Sequence, residues 1–81
     1  MKKSILLSPE TTYRVWCHWL GNVSGLPQNK WPFNMRYASR TQMEHFKSWL
    51  WNNGGSIRVV NRKYHIEAYD ANATAIALRW S

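Results

Sequence analysis

The amino-acid sequence predicts an α+β domain, with a small and mostly antiparallel sheet covered on one face by helix. Residues 39–53 have the apolar spacing and the end signals of a helix, and residues 56–69 contain two alternating segments joined by a short turn. The chain has 81 residues, which is enough for one modest hydrophobic core but not for two. We therefore expect a single compact domain over residues 1–81, with no linker.

The start of the chain imitates a signal peptide. The apolar run of residues 5–7 follows two lysines, but it ends at Ser8, Pro9 and Glu10, short of the roughly 7–15 apolar residues that a signal peptide needs. No other stretch approaches the length of a membrane span. Cys17 is the only cysteine, so no disulfide can form within the chain. We expect a cytoplasmic protein without a signal peptide or transmembrane segment.

Residues 13–20 have two interpretations. As a strand, the segment puts its odd-numbered residues on one face and its even-numbered residues on the other. As a helix, it begins near residues 8–10 and has a stripe of Tyr13, Trp16 and Leu20. We favour the strand, because β-branched and aromatic residues dominate the segment. The two glycines and two prolines that follow predict a loop over 21–32.

The next two elements are a strand and a helix. Residues 33–37 alternate with a period of two, which predicts a short strand with Phe33, Met35 and Tyr37 inward. In the helix that follows, Thr41 with Glu44 matches a capping box, and Ser39 with Gln42 is an overlapping alternative. An Asn-Gly-Gly run ends this helix, since glycine accepts the left-handed conformation at a helix end. Its apolar stripe consists of Met43, Phe46 and Leu50, with Trp49 beside it.

The C-terminal third predicts a hairpin and a final helix. Strands over 56–60 and 63–69 are joined by Asn61 and Arg62, and the loop can be longer than two residues because Arg62 adopts a positive φ poorly. Asp70 offers an N-cap to a helix over 73–80, where alternation also permits a strand but the alanines favour helix. The predicted order is β-β-α-β-β-α. The expected core consists of Phe46, Trp49, Leu50, Ile57, Ile66, Ile76 and Trp80.

The charge of the chain indicates its partners. Eleven Lys/Arg against four Asp/Glu give a net charge of +7, which attracts polyanions, although charge can also serve solubility alone. Cations among aromatic residues on an open sheet face suit single-stranded nucleic acid, because cations take the phosphates and rings stack on the bases. The predicted nucleic-acid-binding residues are Arg14, Trp16, Arg36, Arg58, Arg62 and Lys63. Their neighbours on the uncovered face are His18, Asn34, Val60, His65 and Tyr69.

A protein target is the alternative partner. Trp, Tyr and Arg are enriched at the centres of protein interfaces, and a basic face can dock on an acidic protein patch. The salt dependence of binding distinguishes the two, since neutralising several phosphates makes binding fall steeply with salt. A strand edge that is left exposed would also allow a homodimer through sheet extension, so the chain is either a monomer or a homodimer.

Catalysis has little support in the sequence. The four carboxylates include Glu44 and Asp70, which are better explained as helix-start residues, and no acid/base pair remains. Cys17 and His18 would point to opposite faces of a strand, and we expect Cys17 to be a small core residue. The three histidines lack metal-ligand spacing. We expect a protein that is not an enzyme and that holds no metal or cofactor.

Residues 70–81 resemble the C-terminus of short orphan proteins from tailed bacteriophages. Those chains often close with an acidic residue, an alanine and an aromatic-x-Leu-Arg-Trp run, and here Ile76 stands at the aromatic position before Leu78, Arg79 and Trp80. The resemblance implies a small protein of the host cytoplasm that either blocks a host or defence protein or handles nucleic acid.

Overall fold

The computed structural model describes residues 3–80 and has the element order β-α-α-β-β-α. Met1, Lys2 and Ser81, the ends of the predicted domain, lie outside the described residues. The α+β class is confirmed, but the predicted order is wrong, because a helix follows β1 and residues 33–37 do not form a strand. The elements are β1 (Ser4–Leu6), α1 (Pro9–His18), α2 (Arg40–Asn52), β2 (Gly55–Val60), β3 (Lys63–Tyr69) and α3 (Asp70–Trp80).

The sheet has three strands in the order β1-β3-β2, and both pairings are antiparallel. The predicted hairpin is confirmed, with Ile57 opposite Ile66 and Val60 opposite Lys63. Asn61 and Arg62 both have a positive φ, 50° and 64°, which is the geometry of a two-residue turn that matches the strand twist. The expectation of a longer loop is therefore wrong, and Arg62 holds a conformation that favours glycine.

Residues 13–20 are helical, so the strand that we favoured there is wrong. The helix α1 begins after Ser8, whose Oγ accepts a hydrogen bond from the Thr11 backbone N–H at 3.1 Å, and it continues into a π-helical turn over Trp19–Val23. The buried positions of this segment recur at i, i+3, i+4, i+7 and i+8, which is one stripe of a helix. They are Thr12, Val15, Trp16, Trp19 and Leu20.

Thr12 joins α1 to the central strand. Its Oγ1 accepts a hydrogen bond from the Ile66 backbone N–H at 3.0 Å, and the Ile66 carbonyl accepts one from the Leu7 N–H at 2.8 Å. Because β1 ends at Leu6, it offers no acceptor to the Ile66 N–H. The Thr12 hydroxyl accepts that hydrogen bond instead. The side chain of Thr12 is completely buried, so the bond anchors the helix against the sheet from inside the core.

Residues 33–37 do not form the predicted strand. Met35–Tyr37 is a single turn of 3-10 helix, and the Asn34 side-chain oxygen accepts a hydrogen bond from the Arg36 backbone N–H at 2.9 Å. An asparagine that bonds to the backbone two residues later favours a turn over a strand. Met35 is buried, whereas Phe33 and Tyr37 point outward and are 72% and 62% exposed.

The helix α2 agrees with its prediction, and α3 is helical as predicted but begins at Asp70, the predicted N-cap, rather than at residue 73. Of the two capping boxes, Ser39 with Gln42 is the one that forms, while Glu44 pairs with Arg40. The predicted core residues are buried or half-buried, and the aromatic cluster around Trp16 was not foreseen. The buried core consists of Val15, Trp16, Trp19, Leu20, Met35, Phe46, Leu50, Ile66, Ala68, Ala73 and Ile76, with Trp49, Ile57 and Trp80 packed against it. Within residues 3–80, no helix is long and apolar enough to cross a membrane.

Candidate functional site

Two adjoining depressions, of about 510 Å³ and about 260 Å³, form a groove that we call the basic groove. Both are lined by Met35, Arg36 and Tyr64, so they are continuous across the 3-10 turn. The groove is defined by its charged and aromatic lining residues. These are Tyr13, Arg36, Arg40, Glu44, Lys47, Lys63 and Tyr64.

The cations of the groove come from three separate segments. Arg36 lies in the 3-10 turn that the buried Met35 holds against the core, and Lys63 is the first residue of β3. Arg40 and Lys47 lie seven residues apart on α2, which puts them on the same side of the helix. All four side chains reach solvent, and Glu44 is the only carboxylate among the lining residues.

One ion pair neutralises part of this charge. Arg40 Nε donates to Glu44 Oε1 at 3.2 Å, and both side chains are largely exposed. Such an exposed pair contributes at most about 1 kcal/mol in water, so another anion can readily replace Glu44 as the partner of Arg40. The groove therefore keeps an excess of three positive charges, four cations less one carboxylate.

An exposed aromatic pair is joined to the groove. The rings of Phe33 and Tyr37 stack with their centroids 4.5 Å apart and their planes 28° apart. The Tyr13 hydroxyl, inside the groove, donates to the Phe33 carbonyl at 3.4 Å. Arg36 follows between the two rings in the chain, so the pair and the cation are presented by the same turn. Exposed ring faces of this kind can accept another flat ring.

The Tyr13 phenol is held in its neutral form. A side-chain hydrogen bond with Cys17 raises the pKa of Tyr13, and burial and the electrostatic interaction with Cys17 raise it further. Because the two residues are four positions apart on α1, they lie on the same side of the helix. The phenol therefore remains a hydrogen-bond donor at the wall of the groove.

The structure separates the predicted nucleic-acid-binding residues. Arg36 and Lys63 lie together in the groove, and Arg62 precedes Lys63 at the tip of the hairpin. Arg14 is exposed on α1 but does not line the groove. The placement of Trp16 on an open sheet face is wrong, because the residue is in a helix and its ring is fully buried against Trp19 and Phe46.

Arg58 does not line the groove, although its side chain is on the same sheet face as that of Lys63. Its Nη1 donates to Glu67 Oε2 at 2.7 Å, so its charge is already paired. Its cross-strand neighbour His65 donates from Nδ1 to the Leu7 carbonyl at 2.8 Å, which is the only role a carbonyl partner allows. Arg58 and His65 are therefore already partnered, and the excess of positive charge lies in the groove.

Sequence reasoning missed several members of the groove. Arg40 and Lys47 have the spacing of one helix face, and that spacing alone could have identified them as a pair of cations on α2. Phe33, Tyr37 and Tyr13 were assigned inward positions on strands that do not form. The side chains of Phe33 and Tyr37 point outward because residues 35–37 form a 3-10 turn instead of a strand.

Neither a metal site nor similarity to a known protein adds to the description of this site. Among residues 3–80, no group of three or more His, Cys, Asp or Glu side chains is placed to hold a metal ion. Comparisons with protein-family models, with curated proteins and with solved structures found no match to the chain.

Proposed function

We propose that the protein binds nucleic acid, single-stranded or structured, through the basic groove, and that it does so without catalysing a reaction. The observation that carries the proposal is the convergence of Arg36, Arg40, Lys47 and Lys63 on one groove beside the exposed Phe33–Tyr37 pair. Phosphates are neutralised by the cations, and bases stack on the rings, at about 1–3 kcal/mol for each base.

The hairpin tip supports this assignment. Arg62 has a φ of 64°, and a residue other than glycine in this conformation costs about 1–2 kcal/mol. Asn-Gly is the preferred pair for such a turn, so an arginine at this position lowers local stability. A cation next to Lys63, at the end of the groove, would lengthen the strip of positive charge that a phosphate backbone can follow.

The exposed aromatic pair favours unpaired bases over a regular duplex. In a duplex the bases are stacked on one another and their faces are not available, whereas a single strand or a loop can place a base on Phe33 or Tyr37. We therefore expect the protein to prefer single-stranded or loop-containing nucleic acid to a plain duplex of the same length.

Fluorescence anisotropy tests the proposal. Labelled single-stranded, hairpin and duplex DNA and RNA are titrated with the protein at low and at physiological salt, with a Phe33→Ala/Tyr37→Ala variant alongside. Both residues are exposed, so the variant keeps the fold. We expect saturable binding that persists at physiological salt, prefers unpaired strands, and loses that preference in the variant.

The opposite outcome identifies the alternative partner. Binding that vanishes at physiological salt and does not distinguish nucleic-acid forms would mean that the positive charge attracts nucleic acid only nonspecifically. The same groove would then fit an acidic patch on a host protein, in the way that a phage inhibitor acts in the host cytoplasm. A pull-down from host lysate with wild-type protein and an Arg36→Ala/Lys63→Ala variant tests that function.

A further inference from the structure

A separate cavity of about 550 Å³ lies at the opposite end of α2 from the basic groove. Its walls come from the last turn of α2, the start of β2, the end of β3 and the first turn of α3, with the start of β1 at one side. We call it the Trp51 pocket. Trp51 is four residues beyond Lys47, the groove residue nearest to it on the same helix, which separates the two sites by roughly 6 Å of helix rise.

Two consecutive glycines lie in the wall of the pocket. Gly54 has a φ of 81° and ends α2, and a Cβ there would collide with the Asn72 side-chain amide nitrogen. A Cβ on Gly55 would press against the Ile76 side chain at 3.1 Å. Both glycines line the cavity, so this side of it is bare backbone. The Asn-Gly-Gly run that ends the helix thus also shapes the pocket.

The Trp51 pocket differs from the basic groove in its charged residues. Among the described residues that line it there is no Lys or Arg, and Glu67 is the only charged one. Glu67 Oε2 accepts from Arg58 at 2.7 Å, which leaves Oε1 without a hydrogen bond to another residue of 3–80. The cavity lies between the negative, C-terminal end of α2 and the positive, N-terminal end of α3, whose first residue is the acidic Asp70.

Aromatic side chains form two further walls of this pocket. Trp51 is 76% exposed, and Tyr69 is 50% exposed. A tryptophan exposed to this extent leaves a large apolar ring in water, which is unfavourable unless a partner covers it. The faces of Trp and Tyr rings attract cations, and the attraction reaches about 2 kcal/mol when the cation loses water.

We propose that the Trp51 pocket binds a guanidinium group, supplied by a free arginine derivative or by an arginine side chain of a peptide. The flat cation stacks on Trp51 and donates to Glu67 Oε1. Ser56 Oγ and the Asn72 amide oxygen are further acceptors at the wall, since the amide nitrogen of Asn72 faces Gly54. A planar, weakly hydrated guanidinium suits aromatic walls better than a compact ammonium does.

NMR titration of the ¹⁵N-labelled protein tests this site. The probes are Nα-acetyl-arginine amide and its neutral isostere Nα-acetyl-citrulline amide, which have the same shape and differ in charge. We expect saturable shifts of the Gly54, Gly55 and Trp51 indole signals with the arginine probe, and at least tenfold weaker binding of the citrulline probe. A five-residue peptide with a central arginine distinguishes the two sources, because only a peptide can also contact the backbone outside the cavity.

Two variants and one control complete the experiment. Trp51→Ala removes an exposed wall without touching the core, and Glu67→Gln removes the charge; each should weaken arginine binding at least tenfold. Glu44→Gln removes an exposed carboxylate from the basic groove and should leave this binding unchanged. Equal affinity for citrulline, shifts confined to the groove, or arginine binding that survives Trp51→Ala would each overturn the proposal. If the Glu67→Gln variant does not fold, the arginine affinity of the Trp51→Ala variant tests the proposal alone.

Discussion

At the scale of single residues, Thr12 connects the N-terminal helix to the sheet through one buried hydrogen bond. Its hydroxyl is the partner of the Ile66 N–H at a point where β1 has ended. A buried donor that loses its partner costs about 1–3 kcal/mol, which is a large share of the stability of a domain of this size.

We expect Thr12→Val to destabilise the fold by about 1–3 kcal/mol, because valine fills the same space and leaves the Ile66 N–H unpaired. Thr12→Ser keeps the hydroxyl and serves as the control, losing only a methyl group. Urea unfolding followed by circular dichroism measures both. Equal stability of the two variants would mean that the hydrogen bond contributes nothing, and the account of α1 docking would be wrong.

Arg62 puts a positive charge at the hairpin tip and lowers local stability, because its φ is positive. Replacing it with glycine removes the strain of a positive φ but adds the entropy cost of glycine, so we expect Arg62→Gly to stabilise the fold by about 0.5–1 kcal/mol. The same change should weaken nucleic-acid binding, since it removes a cation beside the groove. Thermal unfolding measures the change in stability, and fluorescence anisotropy measures the change in nucleic-acid affinity. A variant that is less stable than wild type would contradict the observed turn geometry.

Trp16 illustrates what residue types alone cannot predict. Its ring is packed inside the core, although aromatic and β-branched neighbours favour a strand, in which it would face outward. The helical stripe becomes visible only when it starts at Thr12, a polar residue that hydrophobic patterns omit. Burial of a threonine depends on a hydrogen-bond partner 54 residues away, which no local pattern contains.

At the scale of elements, local sequence determines some parts of the fold and tertiary contacts determine others. The helix α2 and the β2–β3 hairpin were predictable because caps, glycines and alternation lie inside the segments themselves. The strand β1 has only three residues and exists through its pairing with β3, so its own sequence carries too little information.

The start of α1 provides a direct test at this scale. Ser8 caps the helix through its side chain, so Ser8→Ala should lower stability by about 1 kcal/mol. Ser48→Ala is the control, because Ser48 is exposed in the middle of α2, where alanine is at least as favourable. Chemical denaturation of both variants measures the difference. A neutral Ser8→Ala, equal to Ser48→Ala, would count against a helix that begins at this residue.

At the scale of the whole molecule, the candidate site arises from the fold rather than from any one segment. The groove combines cations from the 3-10 turn, from α2 and from β3, which are separated by up to 27 positions in the chain, from Arg36 to Lys63. Net charge predicted that a basic surface exists but not where it lies. Only Arg36 and Lys63 were identified in advance as members of the surface that the groove forms.

The central claim is that this groove carries the nucleic-acid binding, and the most direct test is the salt dependence of binding in charge-matched variants. Arg36→Ala/Lys63→Ala removes two groove cations, and Lys30→Ala/Arg79→Ala removes two exposed cations that do not line it. Anisotropy with a labelled single strand is recorded across salt concentrations for both. We expect the groove variant to bind at least tenfold more weakly, with a slope of log K against log salt reduced by about 1.4 for two lost phosphate contacts, and the control to resemble wild type. Equal losses in the two variants would contradict a groove-specific site and leave only a nonspecific electrostatic field.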